Sequence, residues 1–250
     1  MAATMQRTSL FSLTAIFTMT LPAIAPAQLL HDDFSSGTID AAVWQQRAPF
    51  YDSSVYAADG YANFVNRGQL VTIDTFDVPF EISGRFSFVG STYDNLRIVT
   101  RTDAISTNPW FEVDRGIQFT LSLRNGDWND QPGNIGIAVG QYPNATTVLG
   151  YTTFSLIPNV FYDFRIVDSG SSVSLFITDL DNPILTASST SSFGSQIAIY
   201  NREGTGGGSS ISAGSAVRLD YVTVVPEPST YALLLLSGAA SLYALKRRKR

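Results

Sequence analysis

Trp110, Glu112, Asp114, Arg115 and Trp128 lie close together in the chain, and their side chains are of the types that hold a sugar. Flat aromatic faces stack on pyranose rings, while carboxylates and guanidinium groups bond the hydroxyls. In "FEVDRGIQF" a strand's alternation puts Glu112 and Asp114 on one face. Cutting a glycosidic bond there would need a second carboxyl roughly 5 to 10 Å from Glu112 across a cleft. The same tryptophans could instead pack in a core or brace loops.

Other chemistry is thinly supplied. Asp179, Asp181 and Asn182 offer hard oxygen ligands suited to calcium, although the run also reads as a plain turn. His31 is the one histidine, which excludes a histidine-dependent triad and a multi-histidine metal centre. The chain has no cysteine, so disulfides, thiolate metal sites and a cysteine nucleophile are absent. No cofactor is expected beyond that possible calcium.

The elements that must position these residues read as strands. In "FEISGRFSF", Phe80, Ile82, Gly84, Phe86 and Phe88 share one face, and Glu81, Ser83, Arg85 and Ser87 share the other. The same period recurs at Ile117, Phe119, Leu121, Leu123; at Ile135, Ile137, Val139; at Tyr162, Phe164, Ile166; at Val173, Leu175, Ile177; and at Val217, Leu219, Tyr221. Each strand is expected to have one wet face, the mark of antiparallel sheets packed face to face. Asn125-Gly126 and Asp168-Ser169-Gly170-Ser171 supply hairpin turns, and the glycine- and serine-rich stretch 204–215 reads as a loop before the last strand. The fold class is therefore all-β, a two-sheet antiparallel sandwich over residues 28–225.

Charge narrows the partners. The formal net charge is -5, but Lys246, Arg247, Arg248, Lys249 and Arg250 supply five of the sixteen basic residues. Between Gln28 and Val225 stand ten arginines, no lysine and twenty carboxylates, a charge of -10. Nucleic acid is excluded as a partner of such a body, whereas a solvated extracellular setting suits it.

Both ends read as targeting segments. Residues 1–27 carry Arg7, an apolar stretch from Leu10 to Leu21 and an Ala25-Pro26-Ala27 cleavage site, the pattern of a secretory signal peptide with its helix. Residues 229–245 are uncharged and would span about 26 Å as a single transmembrane helix. The five terminal cations resist translocation, so the body must lie outside the inner membrane.

Pro226, Glu227 and Pro228, followed by that apolar run and the basic cluster, resemble the three-part PEP-CTERM sorting signal of Gram-negative bacteria. The resemblance covers residues 226–250 and implies a transient anchor. It also implies the secretion machinery and an exosortase, a membrane protease that releases the body to the cell envelope or the extracellular polymer matrix.

"DDFSSGTIDAAVWQQ" is similar to the opening of concanavalin A-like jelly rolls, including laminarinase-type glucanases and their non-catalytic relatives, through Asp33, Phe34 and Trp44. The resemblance implies a closing strand, "AVRLDYVTV", returning beside the first. The glucanases carry glutamate, aspartate and glutamate on one strand. Glu112 and Asp114 match the first two, but the third falls on Gly116 or Ile117, neither of which can donate a proton.

The expected function is thus an exported, non-catalytic, lectin-like protein that binds polysaccharide or serves in the polymer matrix. A divergent glycan hydrolase or lyase, and a structural matrix protein without ligand, stand as alternatives.

Overall fold

Alternation of apolar and polar residues builds the described residues into strands. The computed structural model describes residues 30–47, 53–89, 95–103, 115–124, 132–140, 147–202 and 216–226. No helix among them is long and apolar enough to cross a membrane. The signal segment 1–27, Glu227, Pro228, the span 229–245 and the cations 246–250 lie outside the described residues.

One sheet has eight strands. Along its path run β13 (Leu185–Ser188), β12 (Ser172–Ile177), β11 (Tyr162–Asp168), β6 (Phe80–Phe88), β15 (Ala216–Pro226), β4 (Tyr61–Val65) and β3 (Ser54–Ala58), while β1 (Leu30–Asp32) also pairs with β15. The other sheet has seven, in the order β10 (Thr147–Thr152), β9 (Ile135–Gly140), β8 (Gly116–Ser122), β7 (Asn95–Thr102), β14 (Gln196–Asn201), β5 (Gln69–Thr72) and β2 (Trp44–Arg47). Every pairing is antiparallel.

The core lies between the sheets. From the first come Phe64, Ile82, Phe86, Phe164, Leu175 and Leu219, and from the second Leu70, Ile98, Ile117, Phe119, Ile137 and Ile199, all without solvent exposure. Burying each such side chain contributes about 1.5–3 kcal/mol. Gly84 sits on the inner face of β6, where the Phe164 ring lies 2.6 Å from the place a Cβ would occupy. Only glycine permits that approach.

The two ends of the described chain meet. Leu30 of β1 pairs with Val224 of β15, and Pro226, the last residue of β15, stands opposite Phe80 of β6 on that strand's other side. A bulge between Leu219 and Tyr221 lets β15 pair first with β4 and then with β1. The expected closing strand therefore does return beside the first.

The opening residues have a local logic. Asp32 accepts the Trp44 indole N–H at 2.8 Å and the Phe34 amide at 2.8 Å, while Asp33 accepts the amide and hydroxyl of Ser35. Phe34 is driven to a φ of 53° and fully buried. The aspartate that fixes the tryptophan is Asp32, and Asp33 closes the turn.

Between β11 and β12, the expected hairpin forms, with Gly170 at a φ of 88° and its amide donating to Asp168 at 3.0 Å. Asp168 lies on the inner side of β11 and is fully buried. A bulge in β7 puts Arg101 at a φ of 52°, and its Nε and Nη2 both donate to the Asp168 carboxylate. This ion pair joins the two sheets at one end of the sandwich.

One expectation fails. The eight-stranded sheet keeps a wet face, since Glu81, Ser83 and Arg85 of β6 face out at least partly exposed. In the seven-stranded sheet, by contrast, every residue of β7 and β8 is buried. Their outward positions hold amides, hydroxyls and arginine among small or apolar neighbours, so exposure does not follow the alternation.

Candidate functional site

Pairing across the seven-stranded sheet sets its outward side chains in rows. One row runs Arg47, Gln69, Tyr200, Arg97, Thr120, Gly136, Tyr151, each opposite the next. Six interstrand steps make it about 29 Å long. The adjacent row runs Gln45, Val71, Ala198, Val99, Gln118, Ala138, Val148. A polar row thus borders a mostly apolar one, and the small residues Gly136, Ala138 and Ala198 keep the floor low.

The row is open at its ends and closed over its middle. Tyr151 at one end is 44% exposed and Arg47 at the other is half-buried, with Gln45 exposed beside it at the end of the adjacent row, whereas Arg97 is 4% and Thr120 0% exposed. Arg97 Nη1 donates to Gln118 Oε1 at 3.3 Å. The Thr120 hydroxyl, and both polar atoms of the Asn95 carboxamide one step along the face, are buried without a hydrogen-bond partner. Each such atom costs about 1–3 kcal/mol. Structures keep groups of this kind where something else satisfies them.

Carboxylates, though not arginines, divide sharply between the sheets: Arg85, Arg165 and Arg218 stand on the eight-stranded one. Asp32, Glu81, Asp163, Asp168 and Asp220 all belong to strands of the eight-stranded sheet. The seven strands of the other carry Arg47, Arg97 and Arg101 and no carboxylate. Burial lowers the Arg47 pKa from the ordinary arginine value.

The residues singled out in the sequence fare unequally. Trp110, Glu112, Asp114 and Trp128 lie outside the described residues. Arg115 stands just before β8, its Nη1 donating to Asp103 at 2.7 Å and its guanidinium 5.3 Å from the Phe193 ring centre. That pairing commits it to the end of the sandwich rather than to the row.

Asp179 spends its carboxylate on its own turn. Oδ1 accepts the amides of Asp181 and Asn182, and Oδ2 accepts the Asn182 side chain at 2.9 Å. The hydrogen bond from the Asn182 side chain, then those from the two amides, hold its pKa below the ordinary aspartate value. Calcium takes six to eight oxygens turned toward one point, and in this turn both Asp179 oxygens accept N–H donors. Among the described residues no group of three or more His, Cys, Asp or Glu could hold a metal.

Sequence reasoning passed over Asn95, Arg97, Gln118, Thr120 and Tyr200. A signal was available in "NLRIVTRT" and "GIQFTLS", where amides, hydroxyls and arginine alternate with core residues and carboxylates are missing. They read as an ordinary wet face.

No known family pattern matches the sequence, and no curated protein is detectably similar to it. Solved structures are similar in fold. A β-1,3-glucanase from Mycobacterium marinum shares 14% identity at a TM-score of 0.54, over 80% of this chain and 99% of its own. A β-1,3-1,4-glucanase (lichenase) from a mouse hindgut metagenome shares 12% at 0.56, over 80% and 99%. The calcium-bound exoplasmic domain of VIP36 shares 12% at 0.57, over 80% and 90%.

The fold is a concanavalin A-like jelly roll. Its solved examples include proteins that cut glycans and, in VIP36 with bound Man2, one that holds them. Such a jelly roll hosts both tasks, so the choice rests on the side chains of this chain.

Proposed function

We propose that this jelly roll is an exported protein that binds polysaccharide on the outward face of its seven-stranded sheet and does not cleave it. One observation carries the reading: the row of hydrogen-bonding groups beside an apolar strip, on strands that hold no carboxylate. The reachable ends of the two rows, exposed Gln45 and Tyr151 with half-buried Arg47 and Val148, suit the hydroxyls and C–H faces of sugar rings, and the buried middle, with Val71, Val99, Gln118 and Thr120, holds those ends in place. A glycosidase needs two carboxyls about the scissile bond, and the described strands of this face supply none. Trp110 and Trp128, of the side-chain type that stacks on sugar rings, are the sequence's further candidates for contact with the glycan.

The tail resembling a PEP-CTERM signal would anchor the body in the inner membrane until an exosortase released it to the envelope or matrix. The ends of the described chain, side by side at Leu30 and Pro226, support this reading, because one corner could serve both targeting segments. Epitope tags at the two ends should part company in mature cells, with the body outside. A single stable inner-membrane species carrying both tags defeats the sorting reading.

A glycan array probed with the full chain in mild detergent tests the binding. The expected result is a saturable signal that Trp110→Ala or Trp128→Ala weakens; no signal from any polysaccharide leaves a structural matrix protein. The fold likeness to glucanases favours one competing reading, a divergent glycan hydrolase or lyase in which a carboxyl from another strand stands roughly 5 to 10 Å from Glu112 across a cleft. Release of reducing ends that Glu112→Gln abolishes would establish it.

A further inference from the structure

We propose that the outward face of the eight-stranded sheet holds a second glycan site, an aromatic strip that takes an uncharged polysaccharide on the side opposite the row. This rests on the glycan-binding reading and makes the body bivalent.

Register builds the strip. One outward row runs Tyr56, Asn63, Arg218, Ser87; in the next, Tyr221, Arg85 and Asp163 stand opposite one another, and Tyr61 begins β4. The bulge in β15 leaves Asp220 and Tyr221 half-buried between the fully buried Leu219 and Val222, so both turn away from the core. Tyr61 and Phe161, the residue before β11, have β15 and β6 between their strands. Their rings nonetheless meet, with centres 5.3 Å apart and planes 27° from parallel. From β3 to β11 is four interstrand steps, about 19 Å. A line of rings that long suits a chain lying across the strands.

The strip is also within reach of a ligand. Tyr56 is 50% exposed, and the side chains of Arg85, Asp163 and Asp220 are 45%, 46% and 31% exposed. Arg85 stands between the two carboxylates, its Nε 3.9 Å from Asp163 and its Nη1 3.5 Å from Asp220. Ion pairs this long and this wet contribute little, and each carboxylate keeps lone pairs for a sugar hydroxyl.

Charge selects the class of ligand. The Arg85 guanidinium lies 5.1 Å from the Phe161 ring centre and that of Arg218 lies 5.8 Å from the Tyr61 ring centre, so the cations brace the rings. Two arginines and the carboxylates of Asp163 and Asp220 cancel, which gives an anionic or cationic polymer no advantage. A dry protein partner would have to strip water from these charges, and carboxylates are scarce at the centres of protein interfaces. A glycan brings hydroxyls to them instead.

Tyrosine nitration of the full chain in mild detergent, mapped by peptide mass, reads both faces at once. Tyr56 reports on the strip, and Tyr151, 44% exposed, reports on the end of the row. The probes are dextran, a soluble β-glucan and galactomannan, with polygalacturonate as the acidic comparison. The expected result is protection of Tyr56 by an uncharged probe. Tyr56→Ala or Phe161→Ala should weaken retention on that probe about two- to tenfold, the share of one stacked ring. Because Tyr56 is exposed, its replacement should leave the melting temperature unchanged, so a fall in retention reads binding rather than folding.

Protection of Tyr56 alone keeps the strip and overturns the row, whereas protection of Tyr151 alone overturns the strip and keeps the row. Protection of neither by any probe overturns both. Stronger protection of Tyr56 by polygalacturonate than by every uncharged probe overturns the uncharged class. Protection of Tyr56 by raised protein concentration alone makes the strip an interface between copies of the chain and overturns the glycan site.

Discussion

Arg101 and Asp168 show how one pair of residues locks two sheets. The carboxylate accepts Nε of Arg101 at 2.9 Å, also Nη2, and the Gly170 amide at 3.0 Å, while Nη1 of Arg101 donates to the carbonyls of Ser189 and Ser191. Arg101→Met would strand a buried carboxylate, and a loss of about 3–5 kcal/mol in urea unfolding is expected. Pairing it with Asp168→Leu should recover much of the loss, because two apolar groups leave no charge behind. A single variant as stable as the parent would show that the pair contributes nothing.

At the same scale, Asp179 tests the turn. Its pKa is held down chiefly by the Asn182 side chain. A depressed carboxylate adds stability above its unfolded pKa and loses it as pH falls through the folded value. Asn182→Ala should therefore raise the Asp179 midpoint in a carbon-13 titration toward the ordinary aspartate range. The group is exposed, so global stability should hardly move.

Elements carry the next lesson. In β6, alternation named Phe80, Ile82, Gly84, Phe86 and Phe88 as one face, and the core contains that face. Gly84→Ala would press a methyl on the Phe164 ring and on the Tyr221 carbonyl, 2.7 Å from the Cβ position. Overpacking of this kind should cost about 1–3 kcal/mol, read as a lower urea midpoint with an unchanged slope. An unchanged midpoint would mean that β6 and β11 part easily.

Alternation was legible because one face of each eight-stranded-sheet strand meets water. It gave no warning about β7, "NLRIVTRT", where polar residues are buried too and a bulge at Arg101 breaks the period. Nor could it place Arg115: a charged residue beside a strand reads as a ligand contact until its partner Asp103, twelve residues earlier, comes within 2.7 Å. The candidate row was the least legible feature. Its members come from seven strands whose order in the sheet differs from their order in the chain, so no sequence window contains them.

On the scale of the whole molecule, the sandwich sets its strand carboxylates and described chain ends on one sheet and the row on the other, an arrangement that suits the proposed function. The eight-stranded sheet carries the acidic residues on its strands and both described chain ends. The seven-stranded sheet is free of strand carboxylates and presents the row. A body attached at the Leu30 and Pro226 corner would thus be held by one sheet while the other meets a polymer. The measurement that tests this most directly is passage of the full chain through gels each cast with one of a panel of neutral and acidic polysaccharides, with retardation and new reducing ends read from the same lanes. Saturable retardation with no new ends is the predicted result; unretarded migration, or reducing ends that accumulate and vanish with Glu112→Gln, would contradict it.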